Sequence, residues 1–177
     1  MNDHHGVRRP LAAVAEPSIS VAGPGDAEVL SAFLTRLSPA SFHQRFLTGP
    51  SPTPSRRLLA ALLPEPPKGR ALLAWLDGEL VGHALWVRLG ERPAAEIALV
   101  VSDQHQRRGI GTALALAVTA DLVAHGVEDI EVFSSSGNRA VARMVTRAAP
   151  DARRELDGPT TTYTYRAGET GRLSRTA

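Results

Sequence analysis

The chain is 177 residues long, 43% apolar and 21% charged, which sets aside a disordered or fibrous polypeptide and leaves room for one domain with one sizeable core. It contains no cysteine, so a disulfide scaffold, a thiol nucleophile and a cysteine-bound metal are excluded. The net charge of +2, from 20 basic against 18 acidic residues, is too small a surplus to imply a nucleic-acid partner.

Lys68 is the only lysine, and the arginines are dispersed with few aromatics beside them, which is not a nucleic-acid-binding pattern. No stretch approaches the roughly 20 apolar residues of a membrane helix. The N-terminus also lacks the basic-then-apolar order of a secretory signal. The expected setting is the cytoplasm, away from any membrane.

Residues 1–17 carry His4, His5 and two prolines without a sustained apolar period, which predicts a flexible N-terminal arm. Two histidines on a mobile end do not make a metal site, and none is expected. Ser18 to Ala22 alternates like a strand. Gly23-Pro24-Gly25 stops it before a helical pattern through Val29, Leu30, Phe33, Leu34 and Leu37. Ser38-Pro39 starts a second helix, serine as cap and proline at the first position, with Phe42 and Phe46 on its face. A third short helix is predicted from Arg57 to Leu63, after a proline-rich loop.

Ala71 to Leu76 and Leu80 to Leu89 read as strands joined by Asp77-Gly78, the pair that favours a tight type I′ hairpin. Glu96 to Val101 reads as a buried strand. The period then changes: Ile110, Leu114, Val118 and Leu122 step by four along one helical face, and Gly126 is placed to end it. Glu128 to Phe133 is a further strand, Arg139 to Ala148 a helix, and Asp151 to Leu156 and Thr160 to Arg166 the last strands. This order predicts one α/β domain over residues 18–166, a mixed central sheet flanked by helices, followed by a flexible tail at 167–177.

The stretch EIALVVSDQHQRRGIGT, Glu96 to Thr112, runs from a buried strand through a polar loop into a glycine-bearing helix start. A helix N-terminus leaves backbone N–H donors unpaired and bears partial positive charge, so it favours an anion. Gly109 and Gly111 let such an anion approach without a Cβ in the way, and Arg107 and Arg108 add charge at the rim. Close helix-to-strand packing alone also selects glycines here. A Walker loop is excluded by the missing lysine, and a dinucleotide fingerprint by Leu114 at its third glycine position.

Gln106, Gly109 and Gly111, with the elements from about Leu72 to Ala148 and Asn138 at a helix start, resemble the GNAT superfamily of N-acetyltransferases. The resemblance implies a single-domain GNAT fold and acetyl-CoA as co-substrate. It implies that the pyrophosphate lies over Gln106, Arg107, Arg108, Gly109, Gly111 and Thr112, and that Asn138 contacts the cofactor. It further implies that the backbone of Leu99, Val100 and Val101 pairs with the pantetheine arm, N–H groups near Val100 and Val101 polarising the thioester carbonyl.

A lysine-type amine with pKa about 10.4 is only about a thousandth neutral near pH 7.4, so the reaction needs a base. Glu96, at the head of the cofactor strand, is the favoured candidate; Glu91, His83 and His105 are weaker ones. The alternative for Glu96 is an ion pair with Arg88 or Arg92. LSPASFHQRF, Leu37 to Phe46, is similar to a segment of bacterial Pat-type protein-lysine acetyltransferases, which also place a glutamate where Glu96 stands. Arg45 of that segment is a candidate for orienting the substrate, and Phe42 and Phe46 for packing.

Two family features are missing. Met144, Val145 and Thr146 stand where many members carry a tyrosine that protonates the leaving thiolate, and Ala148-Ala149-Pro150 replaces the usual Gly-Phe. Tyr163 and Tyr165 on the last strand are the available substitutes. The expected activity is acetyl transfer to an amine, first a protein lysine. A small amine or antibiotic is the alternative acceptor, and a non-catalytic acyl-CoA-binding module the alternative function. Exposed strand edges are compatible with a homodimer, which no residue pattern decides.

Overall fold

The computed structural model describes residues 16–49 and 53–168. The expected arm and tail, with His4 and His5, fall outside the described residues except at 16–17 and 167–168. Strand β1 (Ser18–Ala22) leads through a 3-10 turn at Pro24–Asp26 into three helices, α1 (Ala27–Thr35), α2 (Pro39–Phe46) and α3 (Arg56–Leu62). Helix α1 buries Leu30, Phe33 and Leu34, one face of a 3.6-residue period. Helix α2 begins as its sequence dictates, with Pro39 in its first turn and Ser38 Oγ accepting from the Ser41 N–H at 3.1 Å.

Strands β2 (Gly69–Leu76) and β3 (Glu79–Arg88) form the expected hairpin. Asp77 and Gly78 at its tip have φ of 51° and 80°, the two positive values that a type I′ turn requires. Strand β4 (Ala94–Val101) starts before Glu96, and helix α4 (Ile110–Ala124) crosses over to β5 (Asp129–Ser135). Helix α5 (Arg139–Ala148), β6 (Arg153–Asp157) and β7 (Thr160–Arg166) are the last elements among the described residues. Strand β6 begins at Arg153 rather than Asp151 because the Ala152 N–H is tied back to Ala149 O at 3.1 Å in a turn.

The seven strands form one mixed sheet in the order β1-β2-β3-β4-β5-β7-β6, antiparallel throughout except for the parallel pair β4 and β5. Alternation divides the core into two layers. Leu72, Ala74, Trp86, Ile97 and Val101 face Ile110, Leu114, Val118 and Leu122 of α4, the four residues that step along one helical face. Ala71, Leu73, Leu80, Leu85 and Val100 face Phe33, Phe42 and Leu62 on the opposite side. Gly82 lets α4 lie close: a Cβ there would stand 2.8 Å from Leu114 Cδ1. Among the described residues no helix is long and apolar enough to cross a membrane.

Candidate active site

Strands β4 and β5 pair only from Ala94 to Glu96, opposite Asp129 to Glu131. Beyond that point β4 stays on β3 as far as Val101 and β5 stays on β7, so the two middle strands part. The gap opens into a cleft of about 250 Å³ lined by β4, β5, α4, α5 and the end of α2. Ile97, Leu99 and Val101 line it on the α4 side and Ala98 and Val100 on the α2 side, so the cleft passes through the sheet.

Three backbone bonds set which β4 groups face that gap. The Leu89 N–H donates to Ala94 O and the Ser102 N–H to Val81 O, both at 2.9 Å, whereas Pro93 O accepts from the Asp129 N–H at 3.1 Å. Successive residues of a strand direct their backbone groups to opposite sides. Even-numbered residues from Ala94 to Ser102 therefore direct theirs to β3, and Ile97, Leu99 and Val101 turn theirs to the gap. The expected backbone role of Val100 is thus corrected: its groups face His83 across the β3 ladder, and only its side chain lines the cleft.

At the open end of the cleft, Arg107 and Gly109 adopt left-handed conformations, with φ of 59° and 84°. Side-chain caps close the first turns of α2, α3 and α5, but no side chain caps α4. Its first-turn N–H groups therefore have no side-chain acceptor, an arrangement that favours an anion. Gly111 lines the cleft behind them; a Cβ there would make only ordinary contacts with Met144 Cε at 3.5 Å, Val101 Cγ2 at 3.8 Å and Leu99 Cδ1 at 3.9 Å. Arg107 and Asn138 also line it, Asn138 capping α5 through Oδ1, which accepts from the Val141 N–H at 3.2 Å. Arg108 and Gly109 are exposed and Thr112 half-buried, and none of the three is among the lining residues.

The Gln106 side chain does structural service. Its Nε2 donates to Val101 O at 3.1 Å and to Ser41 Oγ at 3.0 Å. Ser41 Oγ in turn donates to Asp103 Oδ1 at 2.8 Å, and Ser38 donates to the same carboxylate through Oγ at 2.5 Å and its backbone N–H at 2.9 Å. Helix α2 is thereby tied to the loop before α4. Asp103 carries no signal in the sequence, because a loop aspartate is ordinary until its distant partners are known.

Burial alone would raise the Asp103 carboxyl, but the hydrogen bonds from Ser38 and Ser41 outweigh it and hold the group below its ordinary value of 3.8. A depressed carboxyl stabilises the fold above its unfolded pKa, and that contribution is lost as pH falls through its folded one. Asp103→Asn is expected to lower stability at neutral pH by roughly 1 kcal/mol, allowing for solvent exposure. Urea denaturation should show the gap to wild type closing below about pH 4.

Glu96 sits where β4 and β5 begin to part, half-buried, on the sheet face that carries Ala98 and Val100. The two arginine partners weighed for it are engaged elsewhere: Arg92 pairs with Glu131 at 3.4 Å, and Arg88 donates to Pro67 O and His125 O. Its electrostatic neighbour is Arg45, from α2. Burial pushes the Glu96 carboxyl up, Arg45 opposes that, and Glu131 on the paired strand adds to it. His83 faces α3: its Nε2 lies 2.9 Å from Leu62 O, an acceptor, so it is the donor nitrogen. Burial and then Arg45 lower its pKa to about 4 and leave it neutral. His105 contacts Ser102 Oγ at 2.8 Å through Nδ1.

Comparison with known proteins accounts for this architecture. The model of the acetyltransferase (GNAT) family matches residues 36–148. The chain belongs to that family. Among solved structures it is similar to the GNAT domain of S. lividans PAT, at 20% identity over 85% of this chain and 90% of that one, with TM-score 0.75. It is also similar to a cAMP-binding acyltransferase from Mycobacterium smegmatis, at 20% identity over 88% of this chain and 45% of that one, TM-score 0.59. A phosphinothricin acetyltransferase from Sinorhizobium meliloti in complex with AcCoA matches at 14% identity over 88% of this chain and 91% of that one, TM-score 0.67. No curated protein matches the sequence.

As a GNAT acetyltransferase the chain is an enzyme of the acyltransferase class, and its family uses acetyl-CoA. Where α5 carries Met144 and Val145, both line the cleft; across from them Tyr165 of β7 lines it too. Burial pushes the Tyr165 phenol up to about 12, so it remains protonated at neutral pH. Tyr163 is buried in the core on the α4 side.

Proposed function

We propose that the protein transfers the acetyl group of acetyl-CoA to a primary amine, with Glu96 as general base. The observation that carries this reading is the parting of β4 from β5, which leaves a strand's worth of backbone groups facing a cleft that ends at an uncapped helix N-terminus. The cleft fits the co-substrate: the backbone of Leu99 and Val101 suits an amide-rich pantetheine arm, and the first turn of α4 with Arg107 and Arg108 suits the pyrophosphate. Gly109 and Gly111 keep that approach open, Gln106 holds the loop, and Thr112 and Asn138 flank it.

In the reaction the neutral amine attacks the thioester carbonyl carbon, forming the C–N bond as the C–S bond breaks. Coenzyme A leaves as the thiolate, and Glu96 takes the proton from the amine nitrogen, directly or through water. A thiol with pKa about 8.5 to 10 can leave largely unprotonated, so this reading does not require a tyrosine on α5.

The acceptor proposed first is a lysine of another protein, on the strength of the Leu37–Phe46 segment and the likeness in shape to the S. lividans PAT domain. Treating a lysate with protein and acetyl-CoA should raise lysine acetylation over a control without protein. Acetylation confined to small amines would transfer the reading to that class. Lys68 is exposed on the turn before β2 and does not line the cleft. Intact-mass and peptide measurement after incubation with acetyl-CoA should therefore find Lys68 unmodified, and stoichiometric acetylation there would contradict this.

A further inference from the structure

Among the described residues, two buried side-chain polar atoms lack a hydrogen-bond partner, Arg45 Nε and Thr161 Oγ1, and of these residues only Arg45 lines the cleft. The Arg45 guanidinium makes no hydrogen bond to any described residue; its one close partner is the Phe46 ring, whose centroid lies 4.9 Å from Cζ. A guanidinium carries five N–H donors, and burying it without acceptors is costly unless a ligand supplies them. Its planar fork matches the two oxygens of a carboxylate.

The charged groups around it are few. Glu96 shares its side of the sheet without forming an ion pair with it, Glu131 is engaged by Arg92, and His83 is neutral. Burial lowers the Arg45 pKa to about 10, still well above neutrality, so the residue stays cationic. Arg45 lines the cleft, and Glu96 stands outside the lining residues at the end of the β4–β5 pairing, on the same side of the sheet; this cation and anion are complementary to a molecule with an anion and an ammonium set apart in the opposite sense.

We propose that Arg45 binds a carboxylate carried by the acceptor, leaving the acceptor's amine beside Glu96. The placement of the amine rests on the acetyl-transfer reading; the carboxylate site does not. Such a carboxylate comes either from a free amino acid or from an acidic residue next to a target lysine.

The test loads the protein with coenzyme A and titrates it calorimetrically with γ-aminobutyrate and with its amide. A lysine peptide with an adjacent glutamate and the same peptide with glutamine form the second arm. Acetyl transfer to all four is then followed with acetyl-CoA. In at least one arm the carboxylate form should bind and react about tenfold better or more. Arg45→Gln should erase the difference while acetyl-CoA affinity is kept, and Arg45→Lys should restore part of it. The arm that responds identifies the source. Equal behaviour of carboxylate and amide in both arms overturns the proposal on the wild-type protein alone, whether or not the variants fold. Carboxylate-selective binding without any acetyl transfer would sink the transferase reading and leave this one standing; transfer without carboxylate preference would do the reverse.

Discussion

Glu96→Gln is expected to lower kcat for an amine acceptor by about 10²- to 10⁴-fold near neutral pH, with acetyl-CoA affinity unchanged. The magnitude follows from the acceptor: an amine of pKa about 10.4 presents its nucleophilic form only rarely at pH 7.4, and glutamine cannot take the proton. The pH dependence gives a sharper signature. A general base must be deprotonated, so with Glu96 in that role the wild-type rate should fall on the acid side as it gains a proton. Because burial raises that carboxyl and Glu131 adds to the rise, with Arg45 opposing, the limb should lie above the ordinary value of 4.5. The variant should lack this limb and recover only as alkaline pH deprotonates the amine itself. An unchanged rate and an unchanged acid limb would remove Glu96 from the mechanism.

Gly111 separates room from conformation. It is helical with no positive φ, and its Cβ neighbours are at ordinary distances, so Gly111→Ala should bind acetyl-CoA nearly as wild type. Thermal stability should hold or rise slightly, since alanine favours a helix. Gly111→Phe instead projects a ring between Met144, Val101 and Leu99, into the space claimed for the pantetheine arm. Acetyl-CoA affinity should then drop by about a hundredfold or more, roughly 2.7 kcal/mol. Titration of both variants, with thermal unfolding as a control, checks this; undiminished affinity in a folded Gly111→Phe would place the cofactor elsewhere.

How much of this was readable in the sequence depends on the range of the interaction. Local signals gave the elements: Ser38-Pro39 for α2, Asp77-Gly78 for the hairpin, and the four-residue step for α4 each place structure through neighbours in the chain. The glycine spacing after β4 likewise marked the uncapped start of α4. The parting of β4 from β5 is not local, because it depends on which strand each backbone group faces, so only the ladder separates Val100, whose backbone faces β3, from Leu99 and Val101, which were expected to act with it. The counter-charge near Glu96 is non-local for the same reason. Arg88 and Arg92, near in sequence, were the partners of the alternative ion-pair reading, but they are engaged elsewhere, and packing of α2 against the sheet brings Arg45 there. Asp103, which ties Ser38 and Ser41 to the loop before α4, was invisible for want of its partners.

The central claim is that this cleft transfers an acetyl group and does not merely hold the donor. It is tested most directly by incubating the protein with acetyl-CoA and a panel of proteins and small amines, following free thiol alongside acetylated product and a separate acetyl-CoA binding titration. The prediction is acceptor-dependent thiol release matched mole for mole by acetylated amine. Tight acetyl-CoA binding with no release above the acceptor-free rate, across the whole panel, would contradict it and leave an acyl-CoA-binding module.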